Sequence, residues 1–145
     1  MACLIDTGVL LRAFDASFAE YRVIRKAVRT LWVRQEELFV ALQNVAEFWN
    51  VSTRPVDRNG YGLSLERTAK RLSLIEQICC VVSENDHSYR AWKGLLQSHS
   101  VSGVAVHDAR LVSVMLAHGI TTVVTLNERD FRRYSGIVVL TPERV

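Results

Sequence analysis

Short β-branched and aliphatic runs alternate along this chain with longer segments whose apolar residues recur every three or four positions, a pattern of helices threaded between buried strands. The first run, residues 3–5, predicts a buried strand that turns into a loop at Thr7-Gly8. Ser17 with Glu20 three positions on has the form of a capping box, so a helix is expected from Ser17, with Tyr21, Ile24, Val28 and Leu31 as its buried face. A second helix is expected over residues 41–51, stopped near Arg54-Pro55, and Asn59-Gly60 with Gly62 marks a loop. Ser64 opens a third helix reaching about residue 77. A strand over 78–82, a helix over 86–97, a helix over 106–118 closed by Gly119, a strand over 120–125, a helical turn over 128–133 and a last strand over 137–140 complete the reading.

Helices alternating with short apolar strands imply parallel pairing through right-handed crossovers, so the expected fold class is α/β, a three-layer α/β/α sandwich around a mainly parallel sheet. With 145 residues and no repeat, linker or low-complexity tract, residues 1–145 are expected to form one domain. Ligands of such sheets bind beyond the carboxyl ends of the strands. Asp6 follows the first strand, Asp108 opens a late helix, and Asn127 and Asp130 follow the next strand. All can face one crevice, and Glu47 joins them if its helix runs alongside.

Composition changes this picture little. Hydrophobic residues make up 49% and charged residues 23%, which excludes a disordered or fibrous class. The three cysteines, Cys3 and the adjacent Cys79 and Cys80, form no zinc spacing or disulfide framework and read as small buried apolar residues. No signal peptide or membrane-spanning run is evident, so a cytoplasmic setting is expected. The net charge is only +3, yet setting aside Asp6, Glu47, Asp108 and Asp130 leaves 18 basic against 11 acidic residues. An acidic hole in a basic surface suits a polyanion held over a bound cation.

Crowded carboxylates repel one another and raise each other's pKa, and a cation is the simplest way to keep them ionised. Oxygen donors without a Cys or His cluster favour magnesium or manganese. Each acid has an alternative role. Asp6 could cap the turn at Thr7-Gly8, Glu47 could be a solvated helix residue, Asp108 gains from the helix dipole wherever it lies, and Asp130 could pair with Arg132 or Arg133. His107 reads as a surface or packing residue, since metal-assisted hydrolysis needs no histidine base.

Taken in order, Leu4-Ile5-Asp6-Thr7-Gly8-Val9-Leu10-Leu11, Gln43-Asn44-Val45-Ala46-Glu47-Phe48-Trp49, His107-Asp108-Ala109 and Thr125-Leu126-Asn127-Glu128-Arg129-Asp130-Phe131 resemble the PIN-domain family, specifically the VapC-type toxin ribonucleases of toxin–antitoxin systems. The resemblance implies a compact α/β/α domain that hydrolyses RNA with Mg2+ or Mn2+, forms a homodimer, and is inhibited by a VapB-type antitoxin. Matched by position, Asp6, Glu47 and Asp108 are the metal-binding acids and Asp130 the fourth, with Thr7 and Asn127 as polar supports. Gly8 stands where the family usually has Asn or Ser. Asn127 occupies a position that is Asp in some members, which leaves the division of labour between Asn127 and Asp130 open.

Hydrolysis by this route is expected to leave 5′-phosphate and 3′-hydroxyl ends. Arg22, Arg25, Lys26 and Arg29 make a basic stripe along one helix that could contact RNA phosphates or simply be solvated, with Arg132 and Arg133 as weaker candidates. An aspartic-protease reading of Asp6-Thr7-Gly8 fails on the helical patterns, since those enzymes are all-β. A phosphate-accepting receiver domain fails for want of an adjacent acid pair and of a lysine after residues 120–125. A non-catalytic module that keeps the fold and works through protein contacts is the remaining alternative.

Overall fold

The computed structural model describes residues 1–145, and its centre is a five-stranded, wholly parallel sheet. In chain order the elements are β1 (Ala2–Ile5), α1 (Thr7–Arg12), α2 (Tyr21–Val33), β2 (Glu37–Ala41), α3 (Leu42–Thr53), α4 (Leu65–Ile78), β3 (Cys80–Val82), α5 (Asp86–Ser98), α6 (Ala105–Ala117), β4 (Thr122–Val124), α7 (Glu128–Phe131) and β5 (Val138–Leu140), with short 3-10 turns at Val56–Arg58 and Pro142–Arg144. The strand order is β3-β2-β1-β4-β5, so β1 lies in the middle and is paired on both sides, Leu4 with Phe39 of β2 and with Val123 of β4.

Alternation along the strands divides the core into two. Cys3, Ile5, Leu38, Val40 and Val124 point to one face, where they pack with Val9, Ile24, Leu31, Phe48 and Ile75 from α1 to α4. Leu4, Ala41 and Val123 point to the other, against Ala109, Leu111, Val112, Met115 and Phe131 from α6 and α7, with Trp92 and Leu95 of α5 partly buried beside them. Each large aliphatic or aromatic side chain fully withdrawn from water contributes about 1.5–3 kcal/mol. The two clusters clamp the sheet between helical layers, the expected α/β/α sandwich.

Four local expectations are corrected. The loop at Thr7-Gly8 is instead the first turn of α1, capped by Asp6, whose Oδ1 accepts from the Thr7 amide at 2.8 Å. Ser17 does not open α2. The helix starts at Tyr21 because Asp15 Oδ1 captures both the amide (3.1 Å) and the hydroxyl (2.5 Å) of Ser17, and residues before Tyr21 follow that turn. The third buried position of α2 is Ala27, with Tyr21 and Val28 only half-buried. Cys80 is exposed, because β3 is an edge strand, whereas Cys3 and Cys79 are buried as expected.

The strand β2 was hidden in the sequence. Buried on both faces, Leu38 to Ala41 carries no alternation and runs directly into the apolar start of α3, so it reads as an approach to the helix. Other boundaries agree with the pattern. Arg54 ends α3 with an extended backbone before Pro55, Ser64 Oγ caps α4 by accepting from the Arg67 amide at 3.1 Å, and Gly119, at φ +67°, ends α6 in the left-handed region.

Candidate functional site

The carboxyl ends of the three inner strands deliver the site. Asp6 leaves β1 with its amide donating to Val124 O at 3.0 Å, so the β1–β4 ladder is prolonged and the side chain emerges between the two strands. Its second oxygen, Oδ2, accepts from Thr125 Oγ1 at 2.6 Å. Thr125 is fully buried just beyond β4, and its hydroxyl also accepts from the Asn127 amide at 3.0 Å, which turns the chain into α7. Asp6 therefore caps a helix and still occupies the cleft.

Beyond β2, α3 brings up the next acid. Asn44 is completely buried and ties the helix start to the strand by accepting at Oδ1 from the Ala41 amide (2.9 Å), while its Nδ2 donates to Thr7 Oγ1 at 3.0 Å. The Thr7 hydroxyl in turn donates to Glu47 Oε2 at 2.6 Å. Gln43 Nε2 donates to Glu47 Oε1 (3.1 Å) and to the backbone carbonyl of His107 (3.1 Å), which links α3 to the start of α6 one residue before Asp108. Glu47 is thus held on both oxygens and is not a solvated helix residue.

The four acids act on one another. Burial raises the pKa of Asp6, the hydrogen bonds from Thr125 and Thr7 oppose it, and the charges of Glu47 and Asp130 add to it. Asp108, in the first turn of α6, is pushed up to about 6, first by burial and then by the charges of Asp130, Asp6 and Glu47. Asp130 has no ion pair, since Arg132 pairs with Glu128 (3.1 Å), which Arg144 also grips at 2.7 Å. Four carboxylates from four separate elements share one electrostatic environment; no Lys or Arg pairs with them, and only the charge of His107 opposes the rise at Asp108.

Thr7 and Asn127 both lie at this cleft. Thr7 makes side-chain bonds, but Asn127 contributes its backbone, and its side chain forms no hydrogen bond. Gln43, Asn44 and Thr125 belong to the site and carried no role in the sequence reading. Their one signal was a buried polar residue at the end of an apolar strand or start of a helix. The exposed His107 forms no hydrogen bond to the acids through its imidazole, but its charge lowers the pKa of Asp108 against the larger effects that raise it. The basic residues Arg22, Arg25, Lys26 and Arg29 are exposed along α2, where Arg25 and Arg29 border an apolar groove against α4 with Phe14, Val28, Trp32 and Leu74.

A divalent cation was tested against the donors present. No three His, Cys, Asp or Glu side chains are grouped closely enough to enclose an ion by themselves. The donors nevertheless fit a hard cation that keeps part of its water shell: every one is oxygen, no Lys or Arg pairs with the four carboxylates, and Gln43 Oε1, on the amide bonded to Glu47, is buried without a hydrogen-bond donor. Asp6, Glu47, Asp108 and Asp130 are the residues that would hold it.

A parallel α/β/α sandwich with acids at the carboxyl ends of its inner strands is the arrangement this chain presents. Residues 3–137 match the family model of the PIN domain, and the chain belongs to that family. No curated protein matches it in sequence. Among solved structures it is similar to VapBC2 from Rickettsia felis bound to a DNA fragment from the promoter (TM-score 0.72, 14% identity, covering 97% of this chain and 98% of that one). It is also similar to DNA-bound VapBC from Salmonella typhimurium (TM-score 0.71, 16% identity, 98% of each chain). A third is VapC20 of Mycobacterium tuberculosis, a toxin that cleaves the sarcin-ricin loop (TM-score 0.60, 18% identity, 84% of this chain and 87% of that one). No helix is long and apolar enough to cross a membrane.

Proposed function

We infer that this PIN domain is a metal-dependent endoribonuclease and the toxin of a toxin–antitoxin pair. The observation that carries the reading is the gathering of Asp6, Glu47, Asp108 and Asp130 at one cleft, where burial first and the neighbouring carboxylates second raise Asp108 to about 6. Membership of the family and the likeness to a toxin described as cleaving the sarcin-ricin loop support RNA as the substrate.

When bound, Mg2+ or Mn2+ supplies a water of lowered pKa and polarises the phosphoryl oxygens. The chain's own residues do the rest. Thr125 Oγ1 and the Thr7 amide fix the two oxygens of Asp6, and Thr7 Oγ1 and Gln43 Nε2 fix those of Glu47, so both carboxylates are oriented before substrate arrives. Asp108 and Asp130 complete the negative rim that orders the cation. No Ser, Cys or His nucleophile is required, and the products carry 5′-phosphate and 3′-hydroxyl ends.

RNA phosphates are met by the stripe of Arg22, Arg25, Lys26 and Arg29, whose removal flattens the salt dependence of binding by about 0.7 per lost phosphate contact on a single strand. The similar structures that contain VapBC complexes favour a VapB-type antitoxin as partner. Trp32, 56% exposed on α2, offers the apolar surface on which such a partner segment rests. The chain is expected to act as a homodimer.

The test is incubation of purified protein with total RNA in Mg2+ or Mn2+ and in EDTA, with mapping of the new ends and with Asp6→Asn and Asp108→Asn as controls of verified fold. Metal-dependent cuts lost in both variants support the enzyme. Cleavage equal in wild type and variants overturns the assignment of the acids, and none with either metal leaves the non-catalytic module as the better reading.

A further inference from the structure

Beside the acids, and separate from them, the start of α6 and the facing side of α5 enclose a cavity of about 380 Å³ walled by Glu84, Tyr89, Trp92, Val106, His107 and Arg110 among others. That volume lies within the roughly 300–1,000 Å³ of small-molecule sites. Tyr89 and Trp92 are three residues apart on α5 and so share a face, and Val106 and Arg110 are four apart on α6 and share the opposing one. Trp92 Nε1 donates to Val106 O at 2.9 Å, which locks the indole across the two helices, while Tyr89 is 59% exposed beside it. The surface of the lining is mostly carbon, and its polar residues include the Arg110–Glu84 ion pair, Ser88, His107 and Ser113.

Two features tie the cavity to the acid cleft. Glu84 follows β3 at the carboxyl edge of the sheet, the same edge at which Asp6 follows β1 and Asn127 follows β4. His107 forms part of the wall, and its carbonyl accepts from the Gln43 amide that also donates to Glu47, with Asp108 the next residue in the chain. The cavity thus shares with the acid cleft the residue pair His107-Asp108 and the carboxyl edge of the sheet.

We propose that this cavity receives one nucleobase of the RNA next to the cleaved phosphate, stacked on Tyr89 and Trp92 with its edge towards Glu84 and Arg110, and that it sets base preference at that position. The assignment rests on the ribonuclease reading for the identity of the strand. An aromatic face is sequence-tolerant because every base has a π-face, so the choice among bases falls to the charged pair at the rim.

The experiment titrates the intact chain with each of the four 5′-mononucleotides and with ribose 5-phosphate, read by tryptophan fluorescence, for wild type, Tyr89→Ala and Tyr89→Phe. The expected result is binding of at least one mononucleotide but not of ribose 5-phosphate, weakened about tenfold in Tyr89→Ala, as the loss of one base–aromatic stack requires, and restored in Tyr89→Phe. In cleavage of a mixed-sequence RNA, Tyr89→Ala is expected to raise KM more than it lowers kcat and to blunt the base preference beside the cut. Mononucleotide binding unchanged by Tyr89→Ala, or ribose 5-phosphate binding equally well, overturns the proposal. So does a Tyr89→Ala effect confined to association with a protein partner. Absence of RNA cleavage together with Tyr89-dependent nucleotide binding removes the ribonuclease reading and leaves the base site standing.

Discussion

Thr7 Oγ1 donates to Glu47 Oε2 at 2.6 Å, joining the first residue of α1 to the middle of α3 across 40 positions of sequence. The same hydroxyl accepts from the buried Asn44 amide, so it orients an acid and satisfies a core donor at once. Thr7→Val removes both partners without changing volume. Cleavage is expected to fall roughly 10- to 100-fold, as for other residues that hold a ligand in place, and stability by about 1–3 kcal/mol for the stranded amide. Thr7→Ser is expected to retain most of both. Steady-state cleavage and urea denaturation of the two variants decide the matter.

Asp108 gives the metal-free protein an unusual response to pH. Its folded pKa of about 6 lies above the ordinary 3.8, so the folded chain holds the proton more tightly than the unfolded one. The resulting stabilisation is fully present below about pH 4 and is lost as pH rises through about 6. Asp6 is shifted in the same direction. Asp15 has the opposite sign: Ser17, Tyr61 and Arg12 hold it down to about 2, so its contribution is present above its ordinary range and lost as pH falls through 2. Denaturant midpoints measured in EDTA between pH 4 and 7 are expected to decline for wild type and to decline less for Asp108→Asn.

Divalent cations are expected to reverse that decline. A cation that binds only the folded chain adds about 2.7 kcal/mol at 100 times its dissociation constant. Thermal melts at pH 7 with and without Mn2+ test this, and the upward shift is expected to be largely absent in Asp6→Asn and Asp108→Asn. An equal shift in both variants would place the cation elsewhere.

Gly60 is required for contact rather than for backbone freedom. A Cβ there would stand 1.9 Å from Arg54 O, while the loop's left-handed residues are Asn59 and Gly62. The loop cannot yield easily, because Gly60 N donates to Pro55 O at 3.0 Å and Gly62 N to Arg54 O at 2.9 Å. Gly60→Ala is expected to cost about 1–3 kcal/mol, read as a lowered melting temperature. Gly8→Ala, whose Cβ meets only Leu126 Cδ1 at 3.6 Å, is expected to leave the fold unchanged.

The longer helices were readable because an apolar spacing of three to four residues is a local trace, whereas the six-residue α1 was read as a loop. What escaped was whatever depends on distant partners. β2 lacked alternation because both its faces are covered. Ser17 and Glu20 have the letters of a capping box, but the competing acceptor, Asp15, is itself held by Tyr61 OH at 2.8 Å from 46 residues away. Thr125 and Gln43 look like ordinary polar residues until Asp6 and Glu47 are placed against them. The acids stand out in the sequence, and only the folded chain reveals which groups hold Asp6 and Glu47.

Because β1 is the central strand, Asp6 meets Thr125, 119 positions later in the chain, only when β4 pairs beside it. A chain truncated anywhere before β4 therefore lacks the hydroxyl that fixes Asp6 Oδ2.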